Sequence, residues 1–343
     1  MTVLRLTFDY RIILATRFVA YLDDFFIAFG CYNLVMSDDA LKSMLDRKGT
    51  SDFVEKHLKE LLTALESLVD YGTNLIARSF VSSPRQFKDS YILFVHLQQF
   101  VAHLDSVAEL MRKGSCLSAN LQLRSILENF LILKWIFDAN TDNKIEHIFV
   151  ANLRRRRAWQ AIALPGTPEA IRHSIAAARL KTTPSAISSV AKEIAQIDKL
   201  LAETPKVAIN AEFEKFNKKR GFDPQWYTLC GARSIRHIAT SLGRKQDYDY
   251  IYGPFSGVSH GGDIWKSIMF RKNKFEVHQI RTVKEIPSLS QLAANYAVEV
   301  YRLILTAYRV EELERFNQRY FADWREPFRK KYNFVIAPKF VEI

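Results

Sequence analysis

Leu117-Ser-Ala-Asn-Leu-Gln-Leu-Arg124-Ser-Ile-Leu-Glu128-Asn-Phe-Leu-Ile-Leu-Lys-Trp135 is the stretch on which the fold turns. No glycine or proline interrupts it, and its apolar residues recur at helical spacing. At 3.6 residues per turn, Leu117, Leu121, Arg124, Glu128, Leu131 and Trp135 fall on one stripe. Opposite charges inside an apolar stripe need partners, because a charge removed from water is costly unless paired. Arg before Glu is the weaker order for an i,i+4 pair. The spacing therefore predicts partners on other helices, although the same pair also fits a structural ion pair that fixes helix register.

Working outward, the chain has only 12 glycines and 10 prolines, which favours long helices over a fold of many tight turns. Helices are predicted from about Tyr10 to Asn33, and from Ser37. A third is expected to open at Thr50-Ser51-Asp52, with Glu55 completing a capping box. Its stripe runs through Leu58, Leu61, Leu62, Leu65, Leu68, Leu75 and Ile76. Asp89 to Arg112 reads as the next helix, and Ser118 as the cap of the quoted stretch. A basic helix from Ile145 to Ala163 follows. Thr167-Pro168 and Thr183-Pro184 place proline at the first position of further helices.

Residues 167–221 are polar and poor in large apolar side chains, as expected of a protruding helical hairpin or a mobile insert. Asp223-Pro224 is read as opening a helix from Trp226 to Leu242. Met269 to Ile280 alternates about Lys272-Asn273, a hairpin pattern. Ser288 with Gln291 opens a last long helix to 319, and Phe334 to Pro338 reads as extended. The expected fold is all-α: a multi-helix bundle with a polar helical insert and one short β-hairpin. Residues 1–50 are expected to be N-terminal helices packing on a main domain of 51–343.

Lys and Arg number 49 against 37 Asp and Glu, a net charge of +12 that suits RNA or another polyanion as partner. The three cysteines, Cys31, Cys116 and Cys230, form no CxxC and argue against a disulfide framework or zinc ribbon. A cytoplasmic location is expected. Residues 12–35 are apolar but contain Arg17, Asp23 and Asp24, so no membrane association is expected. Long amphipathic helices at 51–81 and 288–319 predict a second copy or a partner protein.

Four constellations carry chemistry. Arg124 and Glu128 are the first. The second is Tyr248-Asp-Tyr250-Ile-Tyr252-Gly-Pro-Phe-Ser256-Gly-Val-Ser259-His260-Gly-Gly262-Asp263, where a glycine-flanked histidine is suited to move protons. A helix end at which His260 caps carbonyls explains this segment equally well. Arg233 and His237 share a helix face at i,i+4, as a plain polar surface would. Finally, in Arg154-Arg-Arg-Arg157-Ala-Trp159, Arg154 and Arg157 suit bidentate phosphate binding and Trp159 base stacking. The alternative is a solvated face with one arginine buried against an acid.

No HExxH, Walker, GxGxxG or GxSxG motif is present. Glu128, His237, His260 and Asp263 lack the tight spacing usual for zinc. No metal or other cofactor is expected.

The Arg124-x-x-x-Glu128 and Ser256-x-x-x-His260 pair, in that order and context, resembles a bacterial family described only as a domain of unknown function. The resemblance covers about Phe94 to Met269 and implies an all-helical fold. A looser similarity is to the HEPN superfamily of helical RNases found in toxins and antiviral defence. HEPN enzymes carry an arginine and a histidine separated by four to six residues. Arg233 and His237 are separated by three, and Arg271 and His278 lie in the hairpin segment.

The expectation is a protein that binds or cleaves RNA or nucleotides, with Arg124, Glu128 and His260 catalytic. Tyr252, Ser256, Arg233, His237, Arg154 and Arg157 would bind substrate. The alternative is a non-enzymatic scaffold in which Arg124, Glu128 and His260 form a buried structural network.

Overall fold

The computed structural model describes residues 44–82, 91–180, 183–259, 268–271, 274–332 and 340–342. The helices expected at Tyr10–Asn33 and Ser37, the segment Phe334–Pro338, and His260 lie outside them.

The bundle begins with α1, Arg47–His57, and α2, Lys59–Ser82. The expected start at Thr50-Ser51-Asp52 is corrected: the Asp46 carboxylate accepts from Gly49 N–H at 2.7 Å and caps α1. Thr50 is thereby buried inside the helix, its hydroxyl bonded to the Asp46 carbonyl at 2.6 Å. α3, Tyr91–Arg112, turns at Gly114 (φ 68°) into α4, Cys116–Asp138. Ser115 flanks the start of α4 without a side-chain cap bond, and Ser118 lies within the helix rather than capping it.

α5, Thr141–Ala161, carries the arginine run and leads into the insert. Short helices Pro168–Arg172 and Ser174–Arg179 come first, then α6, Pro184–Leu201, and α7, Lys206–Arg220. Thr167 and Thr183 cap as expected, accepting from Ala170 and Ala186 N–H. The insert is not a detached hairpin. Ile197, Leu201, Ile209 and Phe213 close over Val150 and Leu153 of α5 in a second small core.

The helix expected from Trp226 to Leu242 is two pieces, Trp226–Leu229 and α8, Ile235–Ser241. Gly231 adopts φ 94° between them, and Ser234 caps α8. A π-type turn, Tyr248–Tyr252, runs into α9, Gly253–Ser259.

The hairpin pairs β1, Ile268–Arg271, with β2, Lys274–His278, in register Ile268 opposite Val277. β3, Phe340–Glu342, joins β2 antiparallel to complete a three-stranded sheet. α10, Ile286–Tyr308, starts before the Ser288 signal, with proline in its first turn, and breaks at Arg309 (φ −146°). α11, Leu313–Arg319, and α12, Arg325–Arg329, are therefore separate elements.

One main apolar core joins α2, α3, α4 and α10 through residues such as Leu65, Phe100, Leu127 and Tyr301. The fold is all-α with one small sheet, and α4 lies with one face in this core and one edge at the surface.

Candidate functional site

The site grows from the exposed edge of α4. Ala119, Leu123, Ile126, Leu127 and Phe130 are the helix face in the core. Leu117 is 57% exposed and Leu121 36%, so the stripe predicted to be buried opens to solvent at its start. Farther along it, the Arg124 and Glu128 side chains are 25% and 33% exposed. The pair is half-buried, which explains why it is tolerated on an otherwise apolar helix.

Arg124 is held from three sides. Its Nε donates to Glu128 Oε1 at 3.2 Å, so the intrahelical bridge forms despite its reversed order. Its Nη1 donates to Ser256 Oγ at 3.2 Å and its Nη2 to the Tyr252 hydroxyl at 2.7 Å. The Tyr252 ring centre also lies 4.3 Å from Arg124 Cζ. Tyr248 stacks on Tyr252 at 4.4 Å and 13°, a consequence of their four-residue spacing on the turn. Burial works against the arginine's charge, but Tyr252 and Glu128 outweigh it and raise its pKa.

Tyr227 belongs to the same neighbourhood and has no signal in residue spacing. Burial raises its hydroxyl pKa, and the nearby Glu128 charge and Tyr252 raise it further. Tertiary packing brings its segment to α4, through Trp226 against Trp135 at 5.6 Å.

The structure thus joins Arg124, Glu128, Tyr252 and Ser256. His260 and Asp263 lie outside the described residues. Arg233 and His237 are exposed and serve the start of α8, where Arg233 N–H donates to His237 Nδ1 at 3.1 Å. Arg154 and Arg157 face the insert instead. Arg154 forks onto Asp223 at 2.7 and 2.9 Å, and Arg157 reaches Asp198 at 2.6 Å. The neighbouring Arg156 pairs with Glu193 at 2.6 Å. With carboxylates on these forks, Arg154, Arg156 and Arg157 clamp α5 to the insert and to the segment after it, and Arg154, only 15% exposed, is the one buried against an acid.

Among the described residues, no three His, Cys, Asp or Glu side chains gather as a metal site requires. No described helix is long and apolar enough to cross a membrane.

No curated protein and no solved structure matches the chain. A family profile does match, from α3 through the first part of the sheet, a span that includes both the Arg124 cluster and the insert. That profile, DUF5677, describes a family of unknown function and covers residues 90–277, more than half of the chain, which therefore belongs to this family.

Proposed function

We propose that this protein binds RNA or nucleotides at the Arg124 cluster and cleaves the phosphodiester without a metal ion. The observation that carries the reading is the guanidinium held at once by Glu128, Tyr252 and Ser256 on a partly open edge. A cation oriented in advance stabilises charge as it develops on a phosphorane and needs no reorganisation during reaction. His260, four positions after Ser256 in the sequence, is assigned the proton. It takes the proton from the ribose 2′-hydroxyl as that oxygen attacks phosphorus, and returns it to the 5′-oxygen as the P–O5′ bond breaks. The products are a 2′,3′-cyclic phosphate and a 5′-hydroxyl. Glu128 keeps Arg124 in place. Support for a cytoplasmic setting is that Cys116 and Cys230 are both free thiols. The looser HEPN similarity is what suggests antiviral defence.

Total RNA incubated with wild type, Arg124→Ala and His260→Ala tests the proposal. Wild type should cleave, with each variant slower by at least about a hundredfold. An inactive wild type, or equal cleavage by all three, overturns it.

A second reading is favoured by one observation: each nitrogen of Arg124 already has a partner within the chain, tying α4 to the turn and α9. In that reading the cluster is a structural lock in a scaffold protein. It predicts that Glu128→Ala and His260→Ala lower Tm by several degrees, whereas a purely catalytic role leaves Tm nearly unchanged.

A further inference from the structure

A cleft of about 840 Å³ opens in the insert, between the C-terminal half of α5, the Pro168–Arg172 helix, α6 and α7. Its size is within the range of about 300–1,000 Å³ typical of ligand sites. None of Arg124, Glu128, Tyr252 or Ser256 lines it.

The wall residues divide into two groups. Asp198 and Asp223 are neutralised by Arg157 and Arg154. Of the other acids, Glu214 lies 3.8 Å from Arg154, and the Glu169 charge acts on Arg157. Arg155 and Arg172 are different: both line the cleft, both are exposed, and neither has an acidic partner among the described residues. Trp159 follows Arg155 by one turn on the same face of α5 and is 68% exposed. Phe222, 59% exposed, stands on the lip after Gly221 ends α7 at φ 80°. Lys218, Lys219 and Arg220 fill the last turn of α7 beside that lip. Phe222 packs against Phe216 at 6.2 Å and 65°, which leaves part of its ring exposed. That ring and the Trp159 indole, beside guanidinium forks with no acidic partner among the described residues, suit a ligand with flat rings and phosphates. In a duplex the ring faces are hidden in the stack, so the fit is to a single strand.

We propose that this cleft holds single-stranded RNA, with bases stacking on Trp159 and Phe222 and phosphates on Arg155 and Arg172. The proposal rests on the RNA reading above and adds a place for the strand separate from the reacting phosphate.

The test is fluorescence anisotropy of the full chain with a labelled oligouridylate of about 12 nucleotides. Its sugars are 2′-O-methylated, so it binds but cannot be cleaved. Arg155→Ala with Arg172→Ala should weaken binding about tenfold and, with two phosphate contacts gone at about 0.7 each, reduce the slope of log K against log salt by about 1.4. Trp159→Ala should also cost about tenfold, and Trp159→Phe should recover most of it. The proposal is overturned if wild type does not bind, if it binds a duplex of the same length equally well, or if the cleft variants bind as wild type. It is also overturned if Trp159→Ala abolishes self-association in size-exclusion chromatography and leaves RNA binding intact. RNA cleavage that ignores the cleft variants sinks this proposal alone, and cleft-dependent binding without any cleavage sinks the nuclease reading alone.

Discussion

Tyr252 contributes to the Arg124 cluster twice, through its hydroxyl as acceptor and its ring as a face for the guanidinium. Tyr252→Phe keeps the ring and removes the acceptor. A hydrogen bond from a charged donor contributes about 1.5–3 kcal/mol when well sheltered. Arg124 is a quarter exposed, so water replaces part of the loss and about 1 kcal/mol is expected. Urea unfolding of the two proteins measures it, and an unchanged midpoint would mean that the hydroxyl does not hold the arginine. At this scale the sequence was legible where it contained a contradiction. Two charges on an apolar stripe demanded distant partners, and Tyr252 and Ser256 met the demand. Tyr227 contradicted nothing in its own segment, so only the packing of Trp226 on Trp135 reveals it.

Helical elements are tied together by a few long-range ion pairs, and Arg154 with Asp223 is the clearest. The pair joins α5 to the segment beyond α7, and Asn217 adds a bond to Asp223 at 2.7 Å. Burial would raise the pKa of Asp223, but Arg154 and Asn217 outweigh it and lower the value below its ordinary 3.8. A carboxylate lowered on folding stabilises above its unfolded pKa and loses that contribution as pH falls through the folded value. Arg154→Ala should therefore be less stable than wild type by about 1 kcal/mol at pH 7, after allowing for the partial exposure of Asp223. The gap should narrow below about pH 4. Urea melts at pH 7 and pH 3 provide the comparison, and an equal gap at both would show that the clamp is not electrostatic. Element types were readable from periodicity, and Thr167 and Thr183 marked their helix starts correctly. Boundaries failed where competing caps stood close together. Asp46 caps α1 ahead of Thr50, and Arg309 breaks a helix whose apolar pattern continues. The insert's small core was hidden because its partners, Val150 and Leu153, belong to the preceding helix.

For the molecule as a whole, α2 and α10 approach closely within the main core. Tyr301 of α10 is fully buried, and its hydroxyl donates to the Leu68 carbonyl at 2.9 Å. Gly72, one turn beyond Leu68, makes room for that ring: a Cβ there would collide with the Tyr301 hydroxyl and with Val101 of α3. Around Tyr301 and Tyr71 gather Phe316 and Trp324, and Trp324 Nε1 donates to Ser67 at 3.1 Å, so the C-terminal elements dock on the same spot. Gly72→Ala sets two effects against each other. Helix propensity alone would favour alanine by up to about 1 kcal/mol. Overpacking of a filled core typically costs about 1–3 kcal/mol, and here the obstructing atoms belong to a buried, hydrogen-bonded tyrosine that cannot swing away. The expected sign is destabilising, by about 2 kcal/mol, with Tm lowered and the Tyr301–Leu68 bond lost. Hydrogen exchange then resolves where the loss falls. Amides of α2, α3 and α10 should exchange faster, while α6 and α7, which share a core of their own with α5, should keep their protection. A stabilised Gly72→Ala protein would show that α2 has space at this position and that the bundle is held elsewhere. Faster exchange in α6 and α7 to the same degree would show that the two cores unfold as one.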